Sequence, residues 1–274
     1  MSNTHNIYLI SDSTGETLDR IFMALKAQFE KFDHNLFHFS FTRTENQISK
    51  ILEEAVKKDD SIILYTIVDN KLAKFLSQEA NKKNIPCFGV LGDLILNFSK
   101  LLNQKATNIP SGQHALNEEY YKRIEAIQFT MNHDDGNSIK DVEKSDIILL
   151  GVSRTSKTPT SIYLANRGFK TSNIPLINET SIPDKLKDNP KTSCIIGLVA
   201  EAERLQDVRK NRLSTIKENE NTNYTKVEKI KNELQDSKKA FKKYQWPVID
   251  VTRKSVEETA ASVIKIHEIF TSKK

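Results

Sequence analysis

DIILLGVSRTSKTPTSIYLANRG, Asp146 to Gly168, is the stretch on which the reading of this chain turns. After Asp146 come four consecutive apolar residues, Ile147 to Leu150, the pattern of a strand buried on both faces of a parallel sheet. Gly151 ends the run. Helical spacing begins near Thr158, with Pro159 in the first turn and Gly168 as the cap. A strand that turns through small residues into a helix start offers an anion backbone N–H groups and the positive end of the helix dipole. Gly151, Val152, Ser153, Arg154, Thr155, Ser156, Lys157 and Thr158 have the length of a nucleotide phosphate loop, G-x-x-x-x-G-K-[ST], except that Ser156 stands where the second glycine usually does. Lys157 would place its charge on the phosphates, and the Thr158 hydroxyl would serve as a magnesium ligand. Serine closes such a loop freely at negative φ and with modest strain at positive φ. The competing reading is an ordinary strand-to-helix turn with a chance Lys-Thr pair. The clear strand before it, the clear helix after it and the added charge of Arg154 favour the phosphate loop.

Upstream, the pattern is a strict alternation. NIYLI, LFHFSFT, SIILYTIV and IPCFGVLG read as strands; GETLDRIFMALKAQF, ENQISKILEEAVKK and NKLAKFLSQEANKK read as the helices between them. Strands alternating with helices of this length imply a parallel sheet with covered faces. Residues 92–140 break the rhythm: DLILNFSKLLNQ reads as a helix, KATNIPSGQH as a loop, ALNEEYYKRIEAIQFTMN as a helix and HDDGNS as a turn. Downstream, NIPLIN, SCIIGLV and WPVIDV read as strands. EAERLQDVRKNRLS, NYTKVEKIKNELQDSKKAFKKY and SVEETAASVIKIHEIF read as helices, the last with Ser255 as N-cap. The expected fold is α/β: an N-terminal parallel-sheet domain over 1–105, then a P-loop kinase-like nucleotide-binding domain over 106–274 with a charged helical lid. No internal repeat is visible, and 216–226 is polar enough to be mobile.

Composition narrows the function classes. With 274 residues, 38% hydrophobic and 28% charged, the chain suits a globular protein rather than a disordered one. A net charge of +5 favours anionic ligands slightly and calls for no nucleic acid. Nothing resembles a membrane span or a secretory leader. Cys87 and Cys194 stand far apart inside apolar stretches, as buried free thiols of the cytoplasm do.

Three further constellations bear on chemistry. Arg204, Arg209 and Arg212 cluster in ERLQDVRKNR, about where phosphotransferases hold arginines on a mobile lid; a solvated basic face competes evenly with that reading. Asp12-Ser13-Thr14-Gly15 joins a strand to a helix and is either a capping turn or a second anion site. HDDG, His133 to Gly136, gathers a histidine and two carboxylates. Asp134 or Asp135 is a candidate base, although Asp and Gly also simply form turns.

Taken in order along the chain, SDSTGET, PSGQHALNEEYYKRIEAIQFTMNHDDG, GVSRTSKTPTSIYLANRGFKTSNIPL, RLQDVRKNR and VIDVTRKSVEETA resemble the bacterial pyruvate, phosphate dikinase regulatory protein family, and its relative that regulates phosphoenolpyruvate synthetase. The resemblance implies a cytoplasmic, homodimeric, bifunctional enzyme. An ADP-dependent serine/threonine kinase activity would phosphorylate and inactivate the target; a phosphorylase activity would remove that phosphate with inorganic phosphate and release pyrophosphate. The nucleotide would lie on Gly151 to Thr158, with Lys157 against the transferred group and magnesium on Thr158. Ser13, Thr14, Arg154 and the arginines at 204, 209 and 212 are then expected around the free phosphate. The alternatives left open are the synthetase as target, a small-molecule P-loop kinase, and a nucleotide-sensing module without chemistry.

Overall fold

The computed structural model describes residues 4–112, 118–137, 139–177, 181–187, 192–215 and 222–272. The chain divides into two compact units, Met1–Ala115 and Leu116–Lys274, and each is built on its own four-stranded, all-parallel sheet.

The first unit runs β1 (His5–Ser11), α1 (Glu16–Lys26), β2 (His34–Phe39), α2 (Glu45–Val56), β3 (Ser61–Thr66), α3 (Asn70–Lys82), β4 (Cys87–Gly89) and α4 (Gly92–Leu101). Its sheet order is β2-β1-β3-β4. The apolar run of β1 follows from burial on two faces, since successive side chains point to opposite sides. Tyr8 and Ile10 join Ile48 and Leu52 of α2 and Leu76 of α3 in one core. Ile7 and Leu9 join Leu18 and Phe22 of α1 in another. Each such side chain contributes about 1.5–3 kcal/mol when fully buried. Local signals set the helix starts. Thr44 and Gln47 form a reciprocal capping box on α2, and the Asp69 carboxylate accepts from the first amides of α3.

The second unit runs α5 (Glu118–Asn132), β5 (Ile147–Gly151), α6 (Lys157–Ala165), β6 (Thr171–Pro175), α7 (Asp184–Lys187), β7 (Cys194–Val199), α8 (Ala202–Thr215), α9 (Val227–Lys243), β8 (Val248–Asp250) and α10 (Val256–Ser272). Its order, β6-β5-β7-β8, repeats the second-first-third-fourth pattern of the first unit. Both central strands, β5 and β7, are buried throughout. Gly197 of β7 makes room for α9: a Cβ there would lie 2.5 Å from the Phe241 ring. Ser255 caps α10 as expected, accepting from Glu258 N while Glu258 Oε2 accepts from Ser255 N.

Some expectations shift. The strand expected over 85–92 shortens to Cys87–Gly89. The long helix expected over 223–244 is interrupted at Lys226, whose backbone is extended; Asn223–Thr225 is a separate 3₁₀ turn, closed by Thr225 Oγ1 donating to Thr222 O at 3.0 Å. Of the polar stretch 216–226, residues 216–221 lie outside the described residues, and Thr225 is buried. The described part of the helix expected over 115–132 begins at Glu118; residues 115–117 lie outside. Among the described residues, no helix is long and apolar enough to cross a membrane.

Sheets of this kind bind ligands beyond the carboxyl ends of their strands, where the strand order reverses. In each unit that place is the end of the first strand. The candidate loops Asp12–Gly15 and Gly151–Thr158 follow β1 and β5 directly.

Candidate functional site

Gly151, the last residue of β5, leaves the sheet in a space that admits no side chain. A Cβ there would lie 2.6 Å from Leu198 O on β7 and 2.8 Å from Thr155 Oγ1. The loop then folds around one carbonyl: Val152 O accepts from Thr155 Oγ1 at 2.9 Å and from Lys157 Nζ at 3.0 Å. Arg154 and Ser156 are both left-handed, with φ of 75° and 59°. Ser156 is also the N-cap of α6, with no side-chain cap bond. Serine therefore takes the backbone conformation for which the usual motif uses glycine, at a cost of about 1–2 kcal/mol. Left-handed residues in such a turn point successive N–H groups into a common concavity that binds anions. Among the described residues, no backbone carbonyl accepts from the N–H groups of residues 153–158.

Lys157 is only 5% exposed. Burial pushes its ammonium pKa down to about 8, against the opposing pull of Asp135 and, next, Asp134; Arg154 and Arg209 push it further down. Its partner at 3.0 Å is the Val152 carbonyl and not an acid, so a ligand has only a neutral hydrogen bond to displace.

The acidic turn comes to this loop. Thr158 Oγ1 donates to Asp134 Oδ1 at 3.0 Å, and Asn173 Nδ2 donates to both Asp134 Oδ1, at 2.5 Å, and Thr158 Oγ1, at 2.8 Å. Asp135 is exposed, at φ 50°. His133 is buried, stacked on Phe129 with ring centroids 3.9 Å apart, its Nδ1 at 2.8 Å from Phe129 O. A hydroxyl has one proton and two lone pairs. With its proton on Asp134 and one lone pair on Asn173, Thr158 keeps one lone pair for a cation. Among the described residues no cluster of three His, Cys, Asp or Glu side chains could hold a metal. Magnesium in phosphate sites needs only one or two protein oxygens beside phosphates and water, so Thr158 and Asp134 fit it.

The three arginines of α8 differ in their surroundings. Arg209 is fully buried, donating to Glu233 Oε2 at 2.7 Å, Tyr224 O at 2.9 Å and Ser153 O at 3.3 Å, with its guanidinium 4.5 Å from the Tyr224 ring centroid. It fastens α8 to α9 and to the loop after β5 through its two terminal nitrogens, and among the described residues its buried Nε has no hydrogen-bond partner. Tyr224 completes the strap: its hydroxyl lies 2.8 Å from Ser153 Oγ and accepts from Arg154 Nε at 3.3 Å. Arg204 and Arg212 are exposed.

In the first unit, the Asp12–Gly15 turn lines a cavity of about 240 Å³ together with Thr66, Ser111 and Gly112. Ser13 Oγ lies 2.8 Å from Ser111 Oγ, and Thr66 Oγ1 donates to Ser11 Oγ at 3.1 Å. Asp12 is buried and accepts from Val68 N at 2.7 Å; burial pushes its carboxyl above the usual range. Cys87 is half-buried and Cys194 buried, neither of them in a disulfide, and burial pushes the Cys87 thiol up to about 12.

Asn173 and Tyr224 are the site residues that the sequence reading passed over. A polar residue inside the strand NIPLIN was the one available hint, since buried asparagine is uncommon. Nothing local marks Tyr224.

Fold and site together define an α/β protein with a glycine-led strand-to-helix turn, a buried lysine and a Thr-Asp pair at the switch point of its second sheet. A family model described as kinase/pyrophosphorylase matches residues 7–264, and the chain belongs to that family. A relative from Pelagibacter ubique (strain HTCC1062) is 70% identical over 98% of both chains, and one from Sphingopyxis alaskensis is 45% identical, again over 98% of both. A third, from Bartonella bacilliformis, is 42% identical over 99% of this chain and 96% of its own. All three carry the provisional name pyruvate, phosphate dikinase regulatory protein. Among solved structures, a carbohydrate transporter from Acidothermus cellulolyticus 11B aligns over 97% of this chain and 100% of its own at 12% identity and a TM-score of 0.29, too slight a likeness to carry an argument.

Proposed function

We propose that this protein is an ADP-dependent serine/threonine kinase and phosphate-dependent phosphorylase that regulates pyruvate, phosphate dikinase in the cytoplasm, acting as a homodimer. The observation that carries the reading is the loop after β5. Its N–H groups at 153–158 have no carbonyl partner among the described residues, with the Lys157 ammonium beside them. The kinase/pyrophosphorylase family and the names of the relatives support the dikinase as target and transfer in two directions.

In the forward direction, the threonine hydroxyl of the target attacks the β-phosphorus of ADP. A new O–P bond forms, the bond from that phosphorus to the bridging oxygen breaks, and AMP leaves. Asp135 takes the hydroxyl proton: it is exposed, while Asp134 is occupied by Thr158 and Asn173. Lys157 and the loop amides hold the diphosphate and offset charge in the transition state. Thr158 and Asp134 hold magnesium, which when bound neutralises phosphate charge. In the reverse direction, an oxygen of inorganic phosphate attacks the phosphothreonine. Pyrophosphate forms, and the threonine oxygen leaves and recovers its proton from Asp135. Arg209 acts by holding Ser153 and Tyr224 in place.

Purified dikinase incubated with this protein and ADP should gain phosphate on a threonine, read by mass spectrometry, and lose it on later addition of phosphate, with pyrophosphate released. ATP should not replace ADP. Modification of phosphoenolpyruvate synthetase in place of the dikinase would reassign the target. Modification of neither, with ADP bound, would reduce the protein to a nucleotide sensor.

A further inference from the structure

Asn173 is 1% exposed in β6, and three separate ties join it to the acidic turn and the phosphate loop. Its backbone N–H donates to His133 O at 3.0 Å, and its carbonyl accepts from Gly136 N at 2.9 Å. The four-residue turn is thereby held to the edge of the sheet. Its side-chain amide supplies the third tie, one nitrogen donating to both Asp134 Oδ1 and Thr158 Oγ1. The amide can face only this way, because the flipped form would set its oxygen against a carboxylate. Among the described residues, its own oxygen is buried without a hydrogen-bond partner. A buried, unsatisfied carbonyl is costly, and its retention calls for an explanation.

We propose that Asn173 is a positioning residue that assigns the two aspartates different work: it fixes Asp134 beside Thr158 on the magnesium side of the nucleotide, and so leaves Asp135 as the carboxylate open to the target's hydroxyl. This rests on the functional reading above. Without the amide, Asp134 keeps a single donor from Thr158 and is free to turn away. The oxygen pair that fits magnesium is then no longer preorganised, while the loop amides and Lys157 are untouched. Losing an outer-shell partner of this kind typically weakens metal binding about 10- to 100-fold.

Calorimetric titration of ADP into the full-length protein, with and without magnesium, tests this. Wild type should bind ADP in both conditions and more tightly with magnesium. Asn173→Ala and Asn173→Asp should lose at least about tenfold of the magnesium-dependent gain, with Asp the worse because it sets a second carboxylate beside Asp134. Binding without magnesium should stay within about threefold of wild type. Thr158→Val, which leaves the backbone ties of Asn173 in place, should lose the same gain and guards against a variant that misfolds. In turnover, the Asn173 loss should appear in KM for the magnesium complex of ADP before kcat. Retention of the full magnesium gain in both Asn173 variants overturns the proposal. So does an equal loss of metal-free binding, which would make Asn173 a purely structural residue. A wild-type protein that binds no ADP would instead overturn the functional reading beneath it.

Discussion

Lys157 is buried, its ammonium on a carbonyl of its own loop. Its pKa falls from the ordinary 10.5 to about 8 because burial disfavours the charge. Between those values the unfolded chain binds more protons than the folded one, so stability rises with pH across that window. Below about pH 8 the buried charge costs roughly 3 kcal/mol. Lys157→Met should therefore raise the urea midpoint at pH 7, with most of the gain gone by pH 10; a lower midpoint at pH 7 would contradict this. The same group should make kcat/KM for ADP fall above about pH 8, because that ratio reports the free enzyme. Ser156 carries a related strain. Its left-handed backbone keeps the loop in shape where the usual motif relies on glycine, and instability of this kind commonly collects at functional sites.

At the scale of elements, α8 shows how a tertiary partner can change a residue's role. Arg209 and Arg212 look alike in the sequence, three apart on one helix. Arg209 is buried against Glu233 and Tyr224, and Arg212 is exposed. Arg209→Ala should cost about 2 kcal/mol or more, since it removes the charge-assisted hydrogen bonds of a buried guanidinium to the half-buried Glu233 and to the strap over Ser153. Arg212→Ala should stay within about 0.5 kcal/mol in the same chemical denaturation. Equal losses in the two variants would contradict the strap. Nothing near Arg209 in the chain announces this difference, because Glu233 and Tyr224 arrive from separate elements. Asn173 is hidden for the same reason: its partners Asp134 and Thr158 are brought in by the turn after α5 and the start of α6. By contrast, β1, β3, β5 and β7 were legible as unbroken apolar runs, since a strand covered on both faces needs apolar side chains at every position. The strand-to-helix turn after β5 was legible because strand, turn and helix are contiguous. The break at Lys226 was not, because the helical spacing of the charged stretch continues across it.

For the whole molecule, two units with the same strand order carry no visible sequence repeat, so topology alone marks the end of the first strand in both. The residues that follow decide what each unit can do. After β1 comes a turn of hydroxyls around a buried carboxyl; after β5 comes a turn with a lysine, a threonine and two aspartates. The nucleotide chemistry proposed above belongs to the second. Its most direct test is an equilibrium titration of ADP, with magnesium present, against the wild-type protein and Lys157→Met. The account predicts saturable one-to-one binding by wild type, weakened at least about 100-fold in the variant, a loss of roughly 2.7 kcal/mol for one charge-assisted contact. Equal affinity in the two proteins would contradict it.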